Sequence, residues 1–154
     1  MKKLLFVCSG NTCRSPLAEG IAKTLFPQCL SEDIEISSAG SFAMEGLPAS
    51  DMAVQVARKH GIDLSQHKTR LLSRSLVKQA DLIVTMASKH KQTVGILEPS
   101  ALEHTYLLTD LCDDVDGDVP DPIGGDFDVY QQAFDTIGKC LGFMKKHLRE
   151  LFEG

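Results

Sequence analysis

One stretch near the N-terminus leaves this chain few choices: Leu4-Leu5-Phe6-Val7-Cys8-Ser9-Gly10-Asn11-Thr12-Cys13-Arg14-Ser15-Pro16. Leu4 to Val7 is too short for a helix and apolar enough for a strand buried on both faces. Gly10 and Asn11 tolerate positive φ, so the chain can turn tightly there. Ser15 before Pro16 predicts a helix start, with Ser15 as N-cap and Pro16 in the first helical position. A cysteine is thus expected at a strand end and an arginine at a helix N-terminus.

That arrangement makes an anion site. Backbone N–H groups of residues 9–14 converge on the centre of a tight loop, and the following helix adds free amides and the positive end of its dipole. Arg14 brings a planar fork that suits two oxygens of a phosphate. The same field favours a thiolate at Cys8, and a thiolate aimed at a bound phosphate is a nucleophile for phosphoryl transfer. The expected phosphate-binding set is therefore Ser9, Gly10, Asn11, Thr12, Cys13, Arg14 and Ser15. Cys8 and Cys13 lie close in the loop, so a redox pairing between them is expected under oxidation.

The rest of the chain alternates strands and helices. Leu17, Ile21 and Leu25 repeat along a helix from Pro16 to Phe26, ended by Pro27. Ile34 to Ser37 reads as a second strand closed by Ser38-Ala39-Gly40. Residues 41–47 form a loop. Pro48 to His60 reads as a helix with Gly61 as its stop, and residues 62–72 are irregular. A short helix is expected over Ser73–Gln79 and a buried strand over Asp81–Met86. Ser88 to Leu97 reads as a helix with Lys89, His90 and Lys91 on its exposed part. A fourth strand covers His104–Leu108. Asp128 to Phe152 carries an apolar stripe of Phe134, Ile137, Leu141, Met144, Leu148 and Leu151, which predicts a last helix packed on the core. Such alternation implies parallel βαβ units. The predicted fold is a three-layer α/β sandwich, with a four-stranded parallel sheet and helices on both faces. All 154 residues form one domain, and its site lies outside the strand C-termini.

Residues 109–127 make a long loop with Asp110, Asp113, Asp114, Asp116, Asp118, Asp121 and Asp126. Asp114, Asp116 and Gly117 fit part of a calcium loop. Its first and twelfth positions would be Cys112 and Ile123, which cannot serve, so no metal is expected. A net charge of −5 argues against nonspecific nucleic-acid binding. No apolar run is long enough for a signal-peptide core or a bilayer span, so no membrane association is expected. Five cysteines, an odd count, suit free thiols in the cytoplasm better than a disulfide framework.

Val7 to Pro16, with Ala18-Glu19 after it and Asp121-Pro122 late in the chain, resembles the low-molecular-weight protein tyrosine phosphatases over essentially the whole length. The resemblance implies a cysteine-dependent phosphatase of phosphorylated proteins that works through a phosphocysteine and needs no cofactor. Cys8 would be the nucleophile, Arg14 the phosphate ligand and Asp121 the proton donor. Pro122 holds the Asp121 backbone extended, which favours one fixed presentation. Ser38 and His67, the latter in a His-x-x-Arg pattern ending at Arg70, would support the loop. Thr12 and the Gly-Gly after Asp121-Pro122-Ile123 look like the family's bacterial protein-arginine phosphatase branch. Ile123 departs from the aromatic that commonly follows Asp-Pro. The resemblance thus favours phosphoarginine, with phosphotyrosine as the alternative and Thr12 and Ile123 as selectors. An arsenate reductase of this fold needs further cysteines in the third strand and after it, and residues 81–91 have none. A cysteine-phosphorylated carrier has no use for Arg14 or Asp121.

Overall fold

Lys2–Cys8 forms β1, the strand that every other element is built around. In the computed structural model, which describes residues 1–153, β2 is Ile34–Gly40, β3 is Leu82–Thr85 and β4 is Thr105–Leu107. They form one sheet in the order β2-β1-β3-β4, with every neighbouring pair parallel. The helices are α1 (Arg14–Leu25), α2 (Asp51–Lys59), α3 (Arg74–Gln79), α4 (Ser88–Leu97) and α5 (Phe127–Glu153). Gly154, part of the one-domain expectation, lies outside the described residues.

The two-residue period of β1 divides the interior in two. Leu4, Phe6 and Cys8 join the larger core with Leu17 and Ile21 of α1, Val56 of α2, and Ile137, Leu141 and Met144 of α5. Leu5 and Val7 point the other way, into a smaller core with Val77 of α3 and Val94 of α4. Both faces of the sheet are thus covered, which accounts for the unbroken apolar run of β1. The predicted three-layer architecture is present. On α5 the predicted stripe is buried from Phe134 to Leu148, with Leu151 half-buried. Each such side chain contributes about 1.5–3 kcal/mol.

Several boundaries differ from expectation for physical reasons. Helix α1 starts at Arg14, and Ser15 is not its N-cap: Cys13 holds that position without a side-chain cap, and the Ser15 hydroxyl is engaged by Cys8. Pro16 is accommodated because the first N–H groups of a helix have no intrahelical partner. β2 runs on through Ser38-Ala39-Gly40, paired in register with Phe6, Val7 and Cys8. Helix α2 starts at Asp51 rather than Pro48, because Ser50 caps it by accepting from the Ala53 amide at 3.3 Å. β4 is shorter than expected, because Pro99–His104 winds into a 3-10 helix before it. His90, expected on the exposed part of α4, is fully buried.

Candidate active site

In the connection from β1 to α1, the carbonyls of Cys8, Ser9, Asn11, Thr12 and Cys13 all find partners. The Cys8 carbonyl accepts from the Ser41 amide and that of Ser9 from Phe42, both at 2.9 Å. The Thr12 carbonyl accepts from Ser50 at 3.0 Å and that of Cys13 from Leu17 at 3.1 Å. The Asn11 carbonyl accepts from His67 Nε2 at 2.7 Å, which makes that nitrogen the protonated one. Among the described residues, no protein acceptor takes the amides of residues 9–14. A row of unpaired N–H groups at a helix N-terminus is an anion cradle.

Asn11 holds this shape. Its φ is 58°, the one positive φ at a non-glycine among the described residues. Asn tolerates that region better than most residues, because its short polar side chain bonds locally. Fully buried, its Nδ2 donates to Ser15 Oγ at 2.8 Å and Ser38 Oγ at 2.9 Å, and its Oδ1 accepts from the Arg70 amide at 3.0 Å. Gly40 lets β2 approach: a Cβ there would sit 2.4 Å from the Ser9 carbonyl oxygen and 2.8 Å from the Asn11 nitrogen.

The hydrogen bonds have a direction. Ser38 Oγ donates to the Glu19 carboxylate at 2.6 Å and accepts from Asn11. Ser15 Oγ also accepts from Asn11, so its own hydrogen is left for Cys8 Sγ, 2.9 Å away. A donor thus points at the sulfur. Arg70 Nε donates to the Ser38 carbonyl at 3.1 Å and ties β2 to the loop after α2.

Arg14 is buried and held from the acidic loop. Its Nη1 donates to the Val119 carbonyl at 2.9 Å, and its Nη2 lies 3.5 Å from Asp121 Oδ2. Asp121 is 42% exposed, and its Oδ1 accepts from the Ile123 amide at 3.1 Å. Three of the other acids serve elsewhere. Asp118 accepts from the amide and hydroxyl of Ser88, Asp114 pairs with Lys139, and Asp126 takes the Val129 amide at the start of α5. The structure therefore brings Cys8, Ser15, Asn11, Ser38 and His67 into one network, and Arg14 and Asp121 into another. The Ile123 side chain is exposed and Thr12 half-buried, and neither side chain bonds to those networks. The Thr12 hydroxyl faces Cys13 Sγ at 3.5 Å, and that sulfur also meets Tyr130 Oη at 3.4 Å. Burial, and then the Cys13 contact, push the Tyr130 hydroxyl above its usual pKa.

Sequence reasoning missed His90. Its Nδ1 accepts from the Ala87 amide at 3.1 Å, and its Nε2 lies 2.9 Å from Ser9 Oγ. Burial first, then the charges of Arg14 and Lys89, lower its pKa from 6.5 to about 4, against smaller opposing effects of Asp118 and Asp121. The available signal was its place three residues into a helix that follows a buried strand, where a side chain can reach back to the capping amide.

The model of the low molecular weight phosphotyrosine protein phosphatases matches residues 3–152. The protein-arginine-phosphatase of Geobacillus stearothermophilus is 36% identical over 148 residues, covering 96% of either chain. A low molecular weight protein-tyrosine-phosphatase of Staphylococcus epidermidis is 37% identical over 146 residues, covering 94% of this chain and 99% of that one. A solved arginine phosphatase, a cysteine-to-serine mutant with a phosphorylated active-site serine, superposes with a TM-score of 0.87 at 32% identity over 96% of either chain.

Proposed function

This chain belongs to the low molecular weight phosphotyrosine protein phosphatase family, and from that premise we propose that it hydrolyses phosphoarginine in proteins through a phosphocysteine. The observation that carries the reading is the row of unpaired amides between Cys8 and Arg14. Those amides and the Arg14 fork hold the three phosphoryl oxygens. The Cys8 sulfur attacks in line. An S–P bond forms, the P–N bond breaks, and the proton of Asp121 goes to the departing guanidine nitrogen. Asp121 then takes a proton from water as the water oxygen bonds to phosphorus and the S–P bond breaks. The Ser15 hydroxyl, already aimed at the sulfur, stabilises the departing thiolate. Most of the rate comes from positioning and charge stabilisation. The phosphorylated serine of the solved relative, standing where that enzyme had cysteine, supports the covalent step here.

Phosphoarginine is favoured by the polar side chain of Thr12 in the loop and by Gly124-Gly125. Exposed Ile123 favours the second reading, phosphotyrosine, since it offers apolar contact to a ring. The two are separated by kcat/KM for matched phosphoarginine and phosphotyrosine peptides, on wild type and Thr12→Ile. An unpaired guanidinium costs about 1–3 kcal/mol and added apolar contact contributes roughly 1 kcal/mol. The ratio should therefore move toward phosphotyrosine by about 10²-fold. A wild-type preference for phosphotyrosine with an unchanged ratio refutes the arginine reading.

A further inference from the structure

His90 is the one buried histidine beside the loop that the mechanism above does not use. Its Nδ1 takes the Ala87 N–H at 3.1 Å. A backbone amide can only donate, so Nδ1 carries no proton and the neutral ring bears its hydrogen on Nε2. That hydrogen points at Ser9 Oγ, 2.9 Å away. The Ser9 oxygen is then an acceptor toward His90, and its own hydrogen has to be donated elsewhere. Ser9 is half-buried, so its hydroxyl keeps an open side for that hydrogen. A doubly protonated ring would set Nδ1–H against the Ala87 N–H. Burial and the neighbouring Arg14 and Lys89 charges keep the ring neutral at working pH, despite Asp118 and Asp121 nearby.

We infer that His90 is a positioning residue: by donating to Ser9 Oγ it commits the Ser9 hydroxyl hydrogen to an oxygen of the bound phosphoryl group. The amide cradle thereby gains a side-chain donor whose direction is set from α4, behind the loop. This rests on the phosphatase reading, because the hydroxyl has work to do only when the loop holds an oxyanion.

Two near-isosteric substitutions separate the two bonds of the ring. His90→Asn keeps an acceptor near Nδ1 and loses the donor to Ser9. His90→Gln places an amide donor near Nε2 and loses the acceptor. A hydrogen bond to a charged group is worth about 1.5–3 kcal/mol, so His90→Asn should lower kcat/KM for p-nitrophenyl phosphate by about 10–10²-fold. His90→Gln should recover most of that loss. In a Ser9→Ala background His90→Asn should cost less than about twofold. Orthovanadate affinity, read by calorimetry, should follow the same pattern. Equal losses in the two His90 variants, or an undiminished loss in the Ser9→Ala background, overturn the proposal. Turnover absent from wild type with the vanadate pattern intact counts against the phosphatase reading and leaves the His90 assignment standing.

Discussion

Asn11→Asp changes one atom type in the middle of the hydrogen-bond chain and should reverse its direction. At present Asn11 Nδ2 donates to Ser15 Oγ at 2.8 Å, which leaves the serine hydrogen for Cys8 Sγ at 2.9 Å. A carboxylate oxygen in the same place accepts instead. Ser15 then turns its hydrogen inward, and the sulfur loses its donor. That loss alone costs about 1.5–3 kcal/mol where the partner is a thiolate. The new charge adds repulsion. The two hydrogen bonds of 2.8 and 2.9 Å place it no more than about 6 Å from the sulfur. At an effective dielectric of about 20, two unit charges that far apart interact by about 3 kcal/mol. With the carboxyl neutral, its O–H can still donate to Ser15 and the defect is small. With it ionised, the loss grows to about 10³-fold or more. The defect should therefore deepen as pH rises. The assay is steady-state and burst kinetics with p-nitrophenyl phosphate from pH 5 to 8, and Ser15→Ala supplies the pure hydrogen-bond loss for comparison. An Asn11→Asp enzyme within threefold of wild type across that range, or one whose defect shrinks with rising pH, refutes the direction assigned to the chain.

Cys8→Ser should abolish turnover and keep vanadate binding, and Asp121→Asn should lower kcat by about 10²–10⁴-fold; a larger loss in Asp118→Asn would move the acid to Asp118. Peroxide should join Cys8 and Cys13 in a reversible disulfide, read by mass spectrometry; sulfonic acid on Cys8 with Cys13 free excludes it. His90 makes stability pH-dependent: its pKa is about 4 in the fold against 6.5 as the ordinary value. The unfolded chain takes its proton first, so stability is full above pH 6.5 and is lost as pH falls toward 4. The loss between pH 7.5 and 4.5 is about 2–3 kcal/mol by urea unfolding, and an equal pH dependence in His90→Gln contradicts it.

Local pattern carried the elements whose environment is uniform. Leu4 to Val7 reads as doubly buried because both faces of β1 are covered. The α5 stripe reads as core because that helix has one apolar face. The bounds of α4 follow from its flanks. What failed was set by contacts distant in sequence. Ser15 before Pro16 has the form of a cap, but the Cys8 sulfur takes its hydroxyl, so the helix begins at Arg14. His90 stands between two lysines and reads as exposed, yet β1 and β3 carry Ser9 and Ala87 to its two ring nitrogens. The motif holds Cys8, Asn11 and Arg14 in one short stretch, whereas Ser38 could be singled out only by the family resemblance. The jobs of the acids were not, since they depend on which lies near Arg14, Ser88, Lys139 or Val129.

In the proposed reaction, the loose pairing of Arg14 with Asp121 leaves each free for its own partner. Nη2 lies 3.5 Å from Asp121 Oδ2, longer than the roughly 2.7–2.9 Å of a good charge-assisted bond. Asp121 is also partly exposed, where such pairs are weak. An entering phosphoryl oxygen can therefore take Nη2 at little cost. The guanidinium does not lose its aim when this happens, because Nη1 stays on the Val119 carbonyl at 2.9 Å. Val119 is itself fixed, its amide donating to the Met86 carbonyl at 2.8 Å at the end of β3. The Met86 amide in turn donates to the Val7 carbonyl at 3.0 Å, one residue before Cys8. In the proposed reaction the Asp121 carboxyl, released from Arg14, is the group that carries the proton. The strand register of β1 and β3 thus ties Val119, two residues before Asp121, to Val7, one residue before Cys8.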